Sequence, residues 1–429
     1  MIQVFTQYFG LYKVLPLKLL LLSLFCMILI AFSGFSPMAL QKVVAQQPTS
    51  PTFNASKLYN TTSANKEHLS MALLNQIKPM ILKNMGNKSR GGVSIVVGVI
   101  TPNGTSVSGY GNISKANTTK VNGNTIFDIA SITKTFTTTL LDDMVKGGLV
   151  NLDDPLEKYL PSNINDGHNI TLEDLAIHTS GLPDFPAGWI RNHTYSTQQV
   201  YNFLSNISLK NEPGVRYNYS DFGVGLLGYI LSLKAGVPYG ELVKERILDV
   251  LGMDSTGIAM NGTAITLSDA LKSRLAKGHI GGNEVNLEFI PEAIQPAGAL
   301  YSSANDLLKY LAANMGLIHT KINDILEDTH LIRHEEMTTI VNSSSTTSTK
   351  SLQAVYIGLG WHIITNFGTE EIYHAGGIDG YTSFIGFNPN KQIGLVILCS
   401  CDGRDALLPA NWLDIVTLSL LHSSGIFAP

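Results

Sequence analysis

The sequence predicts an α+β fold: one antiparallel sheet built from N- and C-terminal strands and flanked by helices, with an inserted, mostly helical subdomain. Two strand-like runs joined by a Pro-Asn-Gly turn come early, between Val93 and Gly111. A mostly helical pattern follows from Ile129 to about Ile290, and strand-like runs return between Ile357 and Ser400. The groove between the sheet and the helical insert is the expected place for a site.

The composition limits the classes of function. With 429 residues, 44% of them hydrophobic and 14% charged, the chain can bury a large core as one large domain or two interleaved ones. The net charge is −4 and no dense basic run occurs, which argues against a nucleic-acid partner. We expect a small-molecule or peptide substrate, and neither a metal nor a cofactor.

Residues 1–45 are predicted to be a signal peptide or a membrane anchor. They contain an apolar run of signal-peptide type, Leu19 to Phe32, preceded by lysines. The run is shorter than the about 20 apolar residues that span a membrane comfortably, which favours cleavage, and Val43 to Ala45 supplies small residues for it. We expect a protein that is secreted, or attached to the membrane through this segment, with its domain outside the cytoplasm.

Residues 46–67 are predicted to be a polar linker that can be glycosylated, and residues 68–429 the folded domain, with its helical insert at about 140–290. Sequons for N-glycosylation support export. They begin at Asn54, Asn60, Asn87, Asn103, Asn112, Asn117, Asn169, Asn192, Asn206, Asn218, Asn261 and Asn342.

Within the domain, an amphipathic helix is predicted from His68 to Met85, followed by a hairpin of Val93 to Ile100 with Ser106 to Gly111. Near the other end, the Ser/Thr-rich segment from Asn342 to Lys350 is predicted to be a loop that precedes the later strands. A final amphipathic helix is predicted from Leu407 to His422.

Cys399 and Cys401 lie two positions apart on the last predicted strand. Side chains at this spacing point to the same face of a strand, and we expect them to be poorly placed to bridge each other. The sequence therefore predicts no disulfide framework and no zinc-ligand spacing.

Ser131 and Lys134, in "FDIASITKTF", stand three positions apart at a predicted helix start. Residues i and i+3 share a helix face, so the lysine amine can reach the serine hydroxyl, which also lies at the positive end of the helix dipole. A serine hydroxyl needs such help to attack a carbonyl. The four-residue pattern alone is weak, and its plain alternative is a threonine-rich helix start.

Further motifs give this pattern a context. Tyr219-Ser220-Asp221 follows a Pro-Gly turn, and His374-Ala375-Gly376-Gly377 lies on a predicted strand. With "LDDPLEKYLP", "LEDLAIHTSGLPDF" and "PAGALYSSANDLLKY", they resemble the serine β-lactamase and penicillin-binding protein superfamily, in its class C β-lactamase-like branch with D-aminopeptidases, DD-peptidases and esterases. The resemblance extends from about Met71 to the final helix and implies the serine β-lactamase/transpeptidase-like fold.

The resemblance also implies roles for single residues. Ser131 would be the nucleophile that forms an acyl-enzyme, Lys134 would handle its proton, and Tyr219 would be the base for attack and then the acid for the leaving group. The backbone N–H groups of Ser131 and Gly377 would form the oxyanion hole. Glycine at Gly376 and Gly377 would leave room for substrate along the strand edge.

Two positions depart from the pattern of many β-lactamases. Asp221 stands where Asn is usual; it can only accept hydrogen bonds when ionised, and its charge favours the ammonium form of Lys134, which shifts the role of base towards Tyr219. His374 stands where Lys is common, so a permanent cation for a substrate carboxylate is replaced by a group that is mostly neutral at pH 7. Both residues are expected to bind substrate, and both weaken the case for efficient penicillin hydrolysis.

The sequence thus predicts an exported serine hydrolase that cleaves an amide or ester bond through a Ser131 acyl-enzyme. Two alternatives stay open: a D-amino-acid peptidase or carboxylesterase with weak β-lactam activity, and a non-catalytic acyl-binding envelope glycoprotein. His178 is interpreted as a residue that supports a loop, because no Gly-x-Ser-x-Gly elbow accompanies it. The natural substrate and the oligomeric state stay undetermined.

Overall fold

The computed structural model describes residues 68–85, 92–161, 169–190, 192–258, 260–261, 264–265, 267–288, 290–342, 350–366 and 369–402. The predicted N-terminal segment, the polar linker and the predicted helix from Leu407 to His422 lie outside these residues. Among the described residues, no single helix is long and apolar enough to cross a membrane; one pair, Asp221–Ala235 with Tyr239–Leu251, reaches that length and hydropathy only together and is bent by 82°.

The strands of the described part of the chain are numbered in chain order. They are β1 Ile95–Thr101, β2 Gly104–Tyr110, β3 Ile126–Asp128, β4 Gly257–Ile258, β5 Met260–Asn261, β6 Ala264–Ile265, β7 His279–Ile280, β8 Asn283–Glu284, β9 Leu300–Ser303, β10 His334–Asn342, β11 Lys350–Ile357, β12 His362–Asn366, β13 Thr369–Ile378, β14 Tyr381–Asn388 and β15 Ile393–Cys399.

The α-helices are numbered in the same way. They are α1 His68–Met85, α2 Thr133–Lys146, α3 Leu172–Ala176, α4 Thr197–Leu204, α5 Asp221–Ala235, α6 Tyr239–Val243, α7 Asp249–Leu251, α8 Asp269–Lys272, α9 Gln295–Gly298, α10 Ala304–Asn314 and α11 Asn323–Thr329. Short 3₁₀ turns cover Ala130–Ile132, Leu156–Lys158 and Glu292–Ile294, and a π-helical turn covers Lys244–Leu248.

The main sheet has eight antiparallel strands in the order β10-β11-β12-β13-β14-β15-β1-β2. The early hairpin therefore pairs with the last described strand, and the helices lie between them in the chain. A smaller sheet, β3-β9-β4, belongs to the intervening region. The predicted α+β class, with one antiparallel sheet built from both ends of the chain, is confirmed.

Strand β1 is buried on both faces, which explains its unbroken apolar sequence. Ile95 and Val97 pack in one apolar cluster with Leu73 of helix α1. Val96, which points the other way, belongs to the large central cluster that includes Leu308 of helix α10. Helices thus cover both faces of the sheet at this strand.

Helix α2 runs through the centre of the protein although its sequence is rich in threonine. The hydroxyls of Thr135, Thr138 and Thr139 donate to backbone carbonyls three or four residues earlier, at 2.8 to 3.0 Å. These bonds satisfy the polar atoms inside the core. A threonine-rich helix can therefore occupy a fully buried position and hold the residues at its N-terminus rigidly.

Two expectations need correction. Strand β10 and all of β11 before Ile357 were not predicted, because "HEEMTT" begins β10 with charged residues and Met337 is exposed, whereas the prediction relied on apolar runs. The structure also joins Cys399 and Cys401 by a disulfide. Strand β15 ends at Cys399, and the chain bends at Ser400 and Cys401; the two Cα atoms are 5.2 Å apart, within the range that a disulfide spans.

Candidate active site

Ser131 lies in a tight turn between strand β3 and helix α2. The turn begins at Ala130, whose φ of 45° is in the left-handed region that a residue with a Cβ rarely adopts. The backbone N–H of Ala130 donates to Oδ1 of Asp128 at 2.8 Å, which holds this conformation. Burial raises the pKa of Asp128 to about 7. The strained turn presents Ser131 at the start of a buried helix.

Lys134, one helical turn later, is fully buried and has three acceptors around its ammonium group. Its Nζ lies 3.1 Å from Ser131 Oγ, 2.8 Å from the carbonyl oxygen of Ala297, and 2.5 Å from Oδ1 of Asp221. An ammonium group has three N–H donors and no acceptor. Lys134 therefore combines an ion pair with Asp221 and two hydrogen bonds, one of which is to the serine.

Tyr219 reaches the same serine from the segment before helix α5. Its hydroxyl donates to Ser131 Oγ at 3.0 Å, and its ring centroid lies 4.9 Å from Lys134 Nζ. Burial, together with the charge of Asp221, raises the pKa of Tyr219 well above 10, and a hydrogen bond to Asp221 acts in the same direction. Tyr219 is therefore a neutral phenol at rest.

Asp221 is the first residue of helix α5, where a negative charge is favourable. The hydroxyl of Ser220 caps this helix by accepting from the N–H of Gly223 at 2.8 Å. The N–H of Asp221 donates to Oδ1 of Asp184 at 3.0 Å. These bonds fix the helix start and direct the carboxylate of Asp221 at Lys134.

Strand β13 lies along the other side of the serine. A Cβ added to Gly376 would come within 2.4 Å of the carbonyl oxygen of Ile129 and 3.1 Å of the Ser131 nitrogen, whereas one added to Gly377 would meet nothing within 4 Å. Gly376 thus allows the nucleophile's turn to approach the strand, and it is Gly377 that faces open space. The expected reason for glycine, room for substrate, applies to Gly377 alone.

The structure buries His374, although this residue was expected to bind substrate in the place of a lysine. The residue is 2% exposed, and its Nδ1 lies 2.7 Å from the carbonyl oxygen of Ala375, so Nδ1 carries the proton. Burial, with His362 and Lys134 nearby, lowers the pKa of His374 well below 6.5. It therefore stays neutral at pH 7, as expected, and also well below the pH at which an exposed histidine becomes charged.

His178 lies beside the site and, as interpreted from the sequence, supports a loop. It is 1% exposed, its ring centroid lies 4.5 Å from that of Tyr219, and its Nδ1 accepts the N–H of Ser220 at 3.1 Å. Burial lowers its pKa well below 6.5. His178 supports the segment that carries Tyr219, and the aromatic contact could not be seen from two residues 41 positions apart in the sequence.

A cavity opens directly at the serine. Its lining includes Ser131, Gly377, Glu288 and the stacked rings of Phe185 and Trp189. Neither the aromatic pair nor Glu288 was singled out from the sequence, because isolated aromatic and acidic residues in a loop carry no motif. Among the described residues, no group of three or more histidine, cysteine or acidic side chains is arranged to hold a metal ion.

The fold and the site define a serine hydrolase, and comparisons with known proteins give its family. The family model described as beta-lactamase matches residues 80–417, which is well over half of the chain. The chain belongs to the beta-lactamase family.

Two named relatives are similar to this chain, at modest sequence identity. The D-alanyl-D-alanine-carboxypeptidase/endopeptidase AmpH of Escherichia coli (strain K12) is 27% identical over 320 residues, which are 72% of this chain and 79% of AmpH. A beta-lactamase of Lysobacter lactamgenus is 24% identical over 334 residues, 72% of this chain and 84% of the relative.

Solved structures show the same fold. A beta-lactamase/D-alanine carboxypeptidase from Pseudomonas syringae superposes with a TM-score of 0.66 at 20% identity, covering 82% of this chain and 99% of that one. A D-alanine carboxypeptidase AmpC from Burkholderia cenocepacia gives a TM-score of 0.64 at 22% identity, covering 83% and 99%.

Proposed function

We propose that this protein is an exported hydrolase that cleaves an amide or ester bond through an acyl-enzyme on Ser131, with Lys134 and Tyr219 as its catalytic partners. The observation that carries the proposal is the double contact at Ser131 Oγ, which accepts from Lys134 at 3.1 Å and from Tyr219 at 3.0 Å. Two donors on a serine oxygen stabilise the negative charge that develops there as it attacks.

In the first step, Ser131 Oγ bonds to the substrate carbonyl carbon and loses its proton. Tyr219, a phenol that donates to Ser131 Oγ at rest, takes this proton by turning its own O–H towards the nearby carboxylate of Asp221 and passing that proton to it. The carbonyl oxygen becomes an oxyanion that the N–H groups of Ser131 and Gly377 stabilise. The ammonium of Lys134 keeps a positive charge beside the serine oxygen throughout.

In the second step, the carbonyl carbon loses its bond to the leaving nitrogen or oxygen. The proton held by Asp221 returns through Tyr219 to the leaving group, and the acyl group stays on Ser131. A water molecule then attacks the ester, gives its proton to the same relay, and releases the acid and the free serine. Acylation as a whole, and hydrolysis of the acyl-enzyme as a whole, each end with Asp221 ionised and no oxyanion, as they began.

Asp221 and His374 favour a second candidate, a D-amino-acid peptidase or carboxylesterase with weak β-lactam activity. Asp221 is committed to Lys134 at 2.5 Å and cannot donate to a substrate carbonyl. His374 is buried and neutral, so it supplies no cation for the carboxylate of a penicillin. The peptidase name of AmpH agrees with peptide substrates for this chain.

The same proposal includes the location of the protein in the cell. The apolar run between Leu19 and Phe32 would export the chain, which would be secreted or remain attached to the membrane by residues 1–45. The glycosylatable linker of residues 46–67 would then lead to a hydrolase domain of residues 68–429 outside the cytoplasm, with a helical insert at about 140–290. Asn218 would stay unglycosylated, because its Nδ2 donates to the carbonyl of Leu182 beside the site.

A fluorescent penicillin and a p-nitrophenyl ester test the proposal together. Covalent labelling and ester turnover that both disappear in Ser131→Ala are the expected result, and rapid ester turnover with slow penicillin turnover would select the peptidase or esterase. If neither reagent labels the protein and no acyl donor is turned over, the non-catalytic acyl-binding glycoprotein is the correct reading.

A further inference from the structure

The cavity beside Ser131 has apolar walls. Five apolar side chains of its lining pack in one cluster, namely Phe185, Trp189, Ile290, Ile294 and Ile378. They come from separate segments of the chain, the aromatic pair from the loop before helix α4 and Ile378 from the end of strand β13. An apolar group of a substrate would lose its contact with water there, which favours binding.

The charged side chains of the described lining are engaged within the protein. They are Asp221 and Glu288. Asp221 forms the ion pair with Lys134 at 2.5 Å. Glu288 accepts the backbone N–H of Asp379 at 3.4 Å and has a further interaction besides. The cavity therefore offers a substrate apolar contact rather than a free charge.

The loop that carries Phe185 and Trp189 is fixed on both sides. Asp184 accepts two backbone N–H groups from the start of helix α5, at 2.9 and 3.0 Å. The hydroxyl of Tyr195 donates to the carbonyl oxygen of Ala187 at 3.2 Å, and its ring centroid lies 6.1 Å from that of Trp189. The rings of Phe185 and Trp189 are stacked, with centroids 5.3 Å apart. They form a preorganised aromatic wall.

The cavity is small and lies on the acyl side of the serine. Its volume is about 70 Å³, whereas an apolar cavity that binds benzene has about 150 Å³ and a single water needs at least about 10–15 Å³. It therefore has room for a few carbon atoms and not for a phenyl ring. Its lining includes both oxyanion-hole residues, Ser131 and Gly377, but among the described residues not Tyr219, which protonates the leaving group.

We propose that Phe185 and Trp189 limit the acyl part of the substrate to a short, unbranched apolar group. The inference rests on the proposed acyl-enzyme at Ser131 and gives that site its substrate class. Each CH₂ of the acyl chain that enters the cavity favours binding, up to the point where the chain meets the aromatic wall. A bulkier group must displace a ring that its own loop holds in place, which is costly in a packed region.

A series of p-nitrophenyl esters tests the inference on the full-length protein at pH 7. From acetate to butyrate, kcat/KM should rise about tenfold, because burial of one CH₂ corresponds to a factor of about four. Phenylacetate, whose ring exceeds the cavity, should react with a kcat/KM about tenfold below that of butyrate. These measurements use the wild-type protein and do not depend on the folding of a variant.

Trp189→Ala should remove the restriction. The ratio of kcat/KM for phenylacetate to that for butyrate should rise at least about tenfold, whereas Trp189→Phe, which keeps a ring, should retain most of the discrimination. Ile190→Ala is the matched control in the same loop. The side chain of Ile190 is 59% exposed and is not among the described residues that line the cavity, so this variant should keep the wild-type ratio.

Three results would overturn the role of the aromatic wall while Ser131 acylation stands. They are an equal kcat/KM for phenylacetate and butyrate in the wild type, a ratio that Trp189→Ala leaves unchanged, and an equal rise of the ratio in Ile190→Ala, which would attribute the effect to a loosened loop. If none of the esters acylates Ser131, the proposed function itself fails.

Discussion

Asp221 Oδ1 lies 2.5 Å from Nζ of Lys134, which in turn lies 3.1 Å from Oγ of Ser131. Lys134 and Asp221 thus form an ion pair beside the serine, and an ammonium group in such a pair has no lone pair with which to accept a proton. The serine proton must then leave by another route. The neighbouring phenol of Tyr219, bonded to the serine at 3.0 Å, and the carboxylate beyond it provide that route.

Asp221→Asn tests whether the carboxylate takes part in proton transfer. An amide cannot take up a proton, so acylation by a p-nitrophenyl ester should slow by about 100-fold or more, measured by stopped-flow release of nitrophenol. Asp221→Ala removes the same carboxylate and its ion pair without supplying an amide, and should be no faster. Acylation of Asp221→Asn at the wild-type rate or above would show that Lys134 accepts the proton instead.

His374 gives a prediction about pH. Burial holds its pKa well below 6.5, so it stays neutral as the pH falls from 8 to 6. The ratio of kcat/KM for an anionic ester to that for a neutral one should therefore be flat over this range, in the wild type as in His374→Gln. A rise in that ratio centred near pH 6.5, absent from His374→Gln but kept when the exposed His193 is changed to Gln, would contradict the burial of a neutral ring.

The adjacent glycines predict two different defects. Gly376→Ala places a Cβ 2.4 Å from the carbonyl oxygen of Ile129, so the free energy of unfolding should fall by about 1–3 kcal/mol and activity should fall with it. Gly377→Ala meets nothing within 4 Å, so stability should change by less than about 0.5 kcal/mol while KM rises. Urea denaturation and ester kinetics on both variants check this, and equal stability of the two variants would refute it.

Asp128 predicts a pH dependence of stability. Burial raises its pKa from 3.8 to about 7, so between these values the unfolded chain ionises while the folded one stays protonated, and stability is lost as the pH rises from about 4 to about 7. The difference corresponds to about 4 kcal/mol above pH 7. Asp128→Asn keeps an acceptor for the N–H of Ala130 and removes the titration.

Urea denaturation from pH 4 to pH 8.5 measures this effect. Asp128→Asn and the wild type should have nearly equal stability at pH 4, and the variant should be the more stable one above pH 7. A difference between the two proteins that does not change with pH would show that Asp128 is ionised in the folded state.

Local patterns and ordered motifs predicted the sheet and the segments that carry Ser131, Lys134 and Tyr219. The hairpin followed from two strand-like runs joined by a Pro-Asn-Gly turn, and the structure has β1 and β2 there. Ser131 and Lys134 meet because residues three positions apart share a helix face. Tyr219 meets Ser131 from the segment that directly precedes helix α5.

What the sequence could not predict depends on contacts between distant segments. The carbonyl of Ala297, 163 positions from Lys134, belongs to a helix end whose direction no local pattern specifies. The burial of His374 follows from its neighbours across the sheet. The bend that brings Cys401 back to Cys399 occurs just past the end of a strand, where residue spacing no longer fixes which way a side chain points.

The central claim, that Ser131 forms an acyl-enzyme, is tested most directly by mass spectrometry of the protein quenched during turnover of a slowly hydrolysed ester or penicillin. The account predicts a mass increase equal to the acyl group, located on the peptide that contains Ser131 and absent from Ser131→Ala. An adduct on another residue, or turnover of substrate by Ser131→Ala at the wild-type rate, would contradict it.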